Sequence, residues 1–392
     1  MKLKIKVNSD KLISLAIMSS FFVLTFQYLI LIYFDLINTS MGSQIQLVSK
    51  AIVGSFYLIA LPFVLERNKV FFLGSYLISI FVFLFTYFLF PENTQYIWSN
   101  LFPHFFIALP SFIYAFSIND FRELKKVINK TGCGVFLIGT LIFILVFIGE
   151  SSVGRYSMSL SYYMLMPLLI YTDKLFNKFA FFDLIVVIIS IIIILGLGSR
   201  GALLCYTVFL FYRITFKKEK LNFKSLLKYL SGFFTTIILL LFHRLILKSI
   251  YNLLLDFDIR SRTLSLFMEN GIHLSGREEL YSIILNQISK NPILGVGLFG
   301  DRRFLGGYVH NIFLELWVQF GIIIGSSLIV LLLFIIYQIF IKIKEKSLID
   351  MMSIWFSMGF VHLLVSSSYI SDFRFFIFLG LSLNILNKKT NK

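Results

Sequence analysis

The stretch SGREELYSIILNQISKNPILGVGLFGDRRFLGGYVHNIFLELWVQFGIIIG, Ser275–Gly325, passes from a polar segment rich in arginine and glycine into an apolar run that continues through Ile341. A run of that length, wound as a helix, exceeds a hydrocarbon core of about 30 Å. The reading that follows is a water-facing loop feeding a membrane span, and it extends to the rest of the chain.

The mean hydropathy is +0.86, with 58% hydrophobic and 14% charged residues over 392 positions. Soluble domains carry charge on roughly a quarter of their residues, so the composition excludes that class. Apolar runs without strand alternation make the spans helices, because only helices and closed barrels satisfy their backbone groups in lipid. Spans are expected at 12–34, 45–65, 70–90, 101–118, 133–149, 156–172, 181–198, 201–216, 228–247, 309–341, 350–370 and 373–387. The fold class is therefore an all-α polytopic membrane protein of about twelve transmembrane helices, each near the length that crosses a bilayer. No linker or soluble domain interrupts it, and 1–392 reads as one integral membrane domain.

Lys2, Lys4, Lys6 and Lys11 precede the run Leu12–Phe34, which is too long for a signal-peptide core and reads as a retained signal anchor. With that end in the cytoplasm, alternate loops carry Arg67 and Lys69, Arg122–Lys130, Lys174 and Lys178, Lys217–Lys224, Lys342–Lys346, and finally Lys388, Lys389 and Lys392. The opposite short loops, Asp35–Gln44 and Pro91–Asn100, hold no Lys or Arg. This is the positive-inside pattern, with both termini cytoplasmic. It accounts for most of the net charge of +16. A nucleic-acid surface is not expected, since the charges are dispersed over loops instead of clustered with stacking aromatics. Cys133 and Cys205 fall in apolar spans at opposite faces, so no disulfide is expected.

Once orientation is explained, the cations on the outer face stand out. They are Arg155, Arg200, Arg260, Arg262, Arg277, Arg302, Arg303 and His310, several of them in the large extracytoplasmic loop 248–308. Arg200 lies in the tight turn Gly198-Ser199-Arg200-Gly201, where an arginine at bilayer depth costs on the order of 3 kcal/mol without a partner. An anionic partner is expected there.

Within the loop, Ser275 and Glu278 have capping-box spacing, and Leu280, Ile283, Ile284 and Ile288 form a helical stripe that Asn291-Pro292 ends. The resulting short amphipathic helix has Arg277 in its first turn. It either lies on the membrane surface or packs as an ordinary loop helix. Gly295–Gly300, GVGLFG, matches G-x-G-x-x-G but lacks the strand before and the helix opening at it that dinucleotide binding requires. Its glycines are expected to make turns that let backbone approach a ligand or another segment. His310 and Asn311 fall at a helix amino terminus, a position that favours phosphate oxygens. Glu315, one turn on, is expected to be a buried polar partner. His104, His243 and His362 lie among apolar residues. No metal-ligand spacing such as H-E-x-x-H, no nucleotide-binding loop and no Ser-His-Asp arrangement is present, so neither a metal nor a cofactor is expected.

The motifs SGRxxL at Ser275–Leu280, NPxxGxGxxG at Asn291–Gly300 and HNxxLExxxxxGxxG at His310–Gly325 resemble the O-antigen polymerase and O-antigen ligase superfamily of bacterial envelope glycan assembly. GSRGALL at Gly198–Leu204 is similar to that family's Ser-Arg-Gly turn. Around Arg155 the sequence GRYSMSLSYYM departs from the family, lacking the Asn-rich turn that often follows. The resemblance implies a glycosyltransferase. It would move glycan from an undecaprenyl-diphosphate-linked oligosaccharide to a sugar hydroxyl at the outer side of the cytoplasmic membrane. Guanidinium groups suit a diphosphate, binding it in bidentate fashion without a metal. Arg200 and Arg277 are assigned to it, with Arg302, Arg303, Asn311, Glu315 and Arg155 as further substrate contacts. His310, with an ordinary pKa near 6.5, is either the base that takes the acceptor proton or a phosphate ligand. Polymerase is the first reading, for O-antigen, capsule or exopolysaccharide. A ligase with a lipid A-core acceptor uses the same donor chemistry, and a lipid-linked oligosaccharide flippase is a third reading. The expected partners are the lipid-linked oligosaccharide, membrane lipid, and a flippase and chain-length regulator of the same pathway.

Overall fold

The computed structural model describes residues 8–147, 158–215, 248–249, 251–252, 255–256, 277–343 and 345–390. Among the described residues every regular element is helical. The order is α1 (Ser9–Tyr33), α2 (Ser40–Leu89), α3 (Thr94–Pro103), α4 (Leu109–Phe116), α5 (Phe121–Phe147), α6 (Met158–Asn177), α7 (Phe181–Gly196), α8 (Arg200–Thr215), α9 (Arg277–Lys290), α10 (Asp301–Leu305), α11 (Ile312–Lys342), α12 (Lys346–Trp355) and α13 (Phe373–Thr390). A π-helical turn, His104–Ala108, joins α3 to α4, and a second, Phe356–Val361, follows α12. The span expected at 228–247, together with Arg155, Arg260, Arg262 and Ser275, lies outside the described residues.

Among the described residues four helices are long and apolar enough to cross a membrane by length and composition: Ser9–Tyr33, Ser40–Leu89, Phe121–Val146 and Ile312–Lys342. The spans expected at 45–65 and 70–90 are the two halves of α2, which meet at a kink where the Asn68 backbone is not helical (φ −145°, ψ 43°). The break is pinned by Arg67, which donates to Asp10 at 2.8 and 3.1 Å, to Ser9 Oγ at 2.6 Å and to the Ser117 carbonyl at 2.8 Å. Large apolar side chains point outward along α2 and α11, with Val70 86%, Leu58 69% and Ile323 66% exposed. Hydrocarbon is the solvent that suits such faces.

The described chain forms two compact units. The second contains Leu24–Gln46 and Gly132–His273. In it α6 packs on α7, and the buried pair Arg213–Asp173, at 2.6 Å, ties α8 to α6. Neither cysteine is in a disulfide, and Cys205 is buried. The first unit contains Met1–Val23, Leu47–Thr131 and Leu274–Lys392. Here α13 packs along α4, and Asn384 Nδ2 donates to the Ile118 carbonyl at 2.7 Å. Two apolar clusters hold the segment 277–320 in this unit. Ile284 and Ile288 of α9 meet Val296, Val309 and Val318, while Leu298 and Phe299 meet Phe83, Ile97 and Ile370.

Candidate functional site

The helix expected from the apolar stripe is α9, and it stops at Lys290, directly before Asn291-Pro292. Ile284 and Ile288 are the buried members of the stripe and pack against protein, so α9 is a packed helix of the first unit.

The glycine motif brings backbone against backbone. Gly321 breaks α11 in a conformation (φ 74°, ψ 173°) that only glycine adopts readily. The loop then bonds to both sides of the break. Val296 N donates to the Val318 carbonyl at 2.8 Å, Gly297 N to the Gln319 carbonyl at 3.0 Å, and Ile322 N to the Pro292 carbonyl at 2.7 Å. A Cβ on Gly295 would meet the Gln319 carbonyl at 2.6 Å, and one on Gly297 would meet the Phe90 ring at 2.4 Å. From outside the loop, the buried Asn93 donates to the Val296 and Leu298 carbonyls at 2.8 and 3.0 Å.

This graft sets the course of the chain into α10 and the turn before α11. Arg302 is 7% exposed, stacks its guanidinium over the Phe299 ring at 4.4 Å and donates through Nη2 to Ser368 Oγ at 3.3 Å. Its Nη1 is buried without a hydrogen-bond partner. Asp301 is fully buried and accepts from Gln319 Nε2 at 2.8 Å. Burial pushes its carboxyl above the ordinary range, with Arg302 and Gln319 opposing. Arg303 is exposed and lies 3.7 Å from Glu92.

His310 has a positive φ of 61°, uncommon for a residue with a side chain, and its ring stacks at a tilt on Tyr308 at 4.4 Å. Its Nδ1 is enclosed and has no hydrogen-bond partner among the described residues. Burial, and then the Arg277 guanidinium, push its pKa down to about 4, which makes the imidazole neutral at pH 7. Arg277, the first residue of α9, donates through Nη2 to the Val365 carbonyl at 2.5 Å. Asn311 caps α11, its Oδ1 accepting from Phe313 N at 3.0 Å and Leu314 N at 3.3 Å. Glu315 is fully buried and accepts from Ser368 Oγ and from Tyr369 N. Of the residues singled out in the sequence, Arg277, Arg302, Arg303, His310, Asn311 and Glu315 therefore come together in the first unit. Arg200 begins α8 in the second unit, after Gly198 (φ 79°) and the buried Ser199.

Sequence reasoning missed the turn Val365–Arg374. It supplies the Val365 carbonyl to Arg277, Ser368 to Arg302 and Glu315, and Tyr369, whose hydroxyl donates to Gln319 Oε1 at 2.7 Å. Ser366 hydrogen-bonds the Tyr308 hydroxyl. At its end Arg374 grips Asp372 through Nε and Nη2 at 2.9 and 2.6 Å, and Asp372 Oδ2 lies 3.1 Å from His362 Nδ1. His104 Nδ1 meets the Ile370 carbonyl at 2.9 Å. The available signal was Asp372 and Arg374, two charges between apolar runs.

The arrangement puts a guanidinium that has donors to spare beside a neutral imidazole, at the amino end of a long apolar helix. Such a site suits an anionic leaving group at a membrane boundary. No match is found among curated proteins or among solved structures. Residues 185–329 match the family model Wzy_C, described as O-antigen ligase. The matched span runs from within α7 into α11, so it contains Arg200, Arg277, His310 and Glu315 and stops short of the Val365–Arg374 turn. Over these residues the chain is similar to that family, and the match supports the O-antigen ligase/polymerase superfamily.

Proposed function

We propose that this protein is a polysaccharide polymerase. It transfers undecaprenyl-diphosphate-linked oligosaccharide repeat units onto a growing O-antigen, capsule or exopolysaccharide at the outer face of the cytoplasmic membrane. The observation that carries the reading is the nearness of the Arg277 guanidinium to the neutral His310 imidazole. Arg277 Nε and Nη1 make no hydrogen bond among the described residues, so they remain for phosphate oxygens.

In the reaction the acceptor hydroxyl oxygen bonds to the anomeric carbon as the bond from that carbon to the diphosphate oxygen breaks. The hydroxyl proton passes to His310, and the electron pair leaves with the diphosphate. A guanidinium keeps its charge at any physiological pH and binds the departing oxygens in a fixed fork. Arg277 supplies that stabilisation and makes the transfer independent of a metal ion. The diphosphate's own charge offsets the repulsion Arg277 exerts on His310, raising its basicity when donor is bound. Arg303 and Asn311 line the path of the sugars. A flippase and a chain-length regulator of the same pathway are the expected partners.

The ligase reading has one observation in its favour, the description of the matching family. The two are separated by the acceptor. Purified protein in detergent is given lipid-linked repeat units alone, or with lipid A-core. A ladder of longer glycans from repeat units alone supports the polymerase, and transfer only when lipid A-core is present supports the ligase. Absence of both products from active preparations overturns the reading.

A further inference from the structure

The Val365–Asp372 turn is held from several directions, and Arg277 hangs from it. Its carbonyl at Val365 accepts from Arg277 Nη2. Three residues on, Ser368 donates to the fully buried Glu315 and accepts from Arg302 Nη2 at 3.3 Å. Tyr369 N donates to the other Glu315 oxygen at 3.4 Å, and the Tyr369 hydroxyl donates to Gln319, which in turn donates to Asp301. Ser367, between the two grips, has a positive φ of 63°, a conformation that persists only when its surroundings over-determine it. The grips are not needed to bury the turn's apolar residues, since Ile370 already sits in the cluster with Phe83 and Phe299.

Resting on the glycan-transfer reading, we propose that Glu315, Ser368 and Arg302 are positioning residues that act through Arg277. Glu315 and Arg302 clamp the Ser368 hydroxyl. The clamp fixes the Val365 carbonyl, and that carbonyl aims the Arg277 fork at the diphosphate. None of the three touches the substrate. Arg302 in this role is the counter-charge of the buried acids Asp301 and Glu315, and its guanidinium is held by Ser368 and the Phe299 ring. The clamp explains why an acid and an arginine are carried inside a segment where each alone is costly. A fork mis-aimed by about 1 Å forfeits much of its effect on the leaving group.

The test is a double-mutant cycle on two readouts: glycan extension from lipid-linked repeat units, and binding of undecaprenyl diphosphate by the purified protein in detergent. Glu315→Gln alone is expected to slow extension about 30-fold, and by less than about 3-fold when placed on Arg277→Lys, because contacting partners couple while independent sites add. Ser368→Ala is expected to behave like Glu315→Gln. Ser368→Thr, which keeps the hydroxyl, should recover most of the rate. Thermal unfolding and size-exclusion elution identify any variant that fails to fold. If Glu315→Gln fails to fold, the Ser368 pair decides the question. Additive losses from Glu315→Gln and Arg277→Lys, or equal rates for Ser368→Ala and Ser368→Thr, overturn the clamp while leaving the transfer reading intact. A wild-type protein that neither extends glycan nor binds undecaprenyl diphosphate overturns the transfer reading first.

Discussion

Gly297 N donates to the Gln319 carbonyl at 3.0 Å, two residues before α11 breaks at Gly321. A break in a helix leaves carbonyls without intrahelical donors, and here the loop's own amides supply them. The glycine-rich segment is thus a splice of loop onto helix, and it delivers Arg302 and His310 to one end of α11.

That splice makes Gly321 intolerant of any side chain. A Cβ there would meet the Ile293 carbonyl at 2.1 Å, and the backbone region itself costs roughly 1–3 kcal/mol for a non-glycine residue. Gly321→Ala should lower the unfolding temperature in detergent by several degrees or prevent folding. Gly307→Ala is the comparison, since nothing lies within 4 Å of a Cβ at that position. It should unfold within about a degree of wild type, a surface change of a few tenths of a kcal/mol.

The local part of this arrangement was legible in the sequence. The α9 stripe, its stop at Asn291-Pro292, the helix start at Asn311 and the burial of Glu315 all follow from spacing over a few residues. The break in α2 was legible too, since Arg67 and Lys69 interrupt the apolar pattern on either side of Asn68. The Val365–Arg374 turn escaped notice. Ser368 meets Glu315 across 53 residues, and Ile370 meets His104 across 266. Pairings at that range leave no trace in local periodicity, so Val365–Ile370 reads as the end of the span expected at 350–370, whereas the helix stops at Leu363.

If guanidinium geometry, and not charge alone, stabilises the leaving diphosphate, lysine should not replace arginine. Arg277→Lys and Arg200→Lys should each reduce extension of lipid-linked repeat units by about 100-fold, the usual loss when one pre-positioned donor to a developing anion is removed. Normal polymer from both variants would sink the assignment. The readout is product length on a gel at fixed time and protein concentration.

The Asp372 carboxylate is buried between Arg374 and His362. Burial alone would raise its pKa, but Arg374 and His362 hold it well below the ordinary carboxylate range. A depressed carboxyl stabilises the fold above its unfolded pKa, and that contribution is lost as pH falls below about 4. Asp372→Asn should cost about 3–5 kcal/mol, because it removes a buried charge that Arg374 grips through two hydrogen bonds. By contrast, Asp120→Asn removes an exposed pair with Arg122, at 3.6 Å, and should cost less than about 0.5 kcal/mol. Chemical unfolding of both variants in the same detergent, read by tryptophan fluorescence, makes the comparison.

The acid limb of the rate profile should report His310. Burial and the Arg277 charge push this group down to about 4, so the imidazole is neutral and able to accept a proton throughout pH 5–8. An ordinary histidine base would lose activity near pH 6.5. Here kcat/KM, which follows the free enzyme, should hold until the pH approaches 4–5. Arg277→Gln removes the like charge and leaves the burial, so His310 becomes easier to protonate. The acid limb of that slower variant should therefore move to higher pH. The same shift carries a stability signature. The unfolded chain binds a proton on this histidine between about pH 6.5 and 4 that the folded protein does not, so folding stability falls as pH is lowered through that window. An acid limb fixed near 6.5 in both proteins, or one that moves to lower pH in Arg277→Gln, would remove His310 from the role of base.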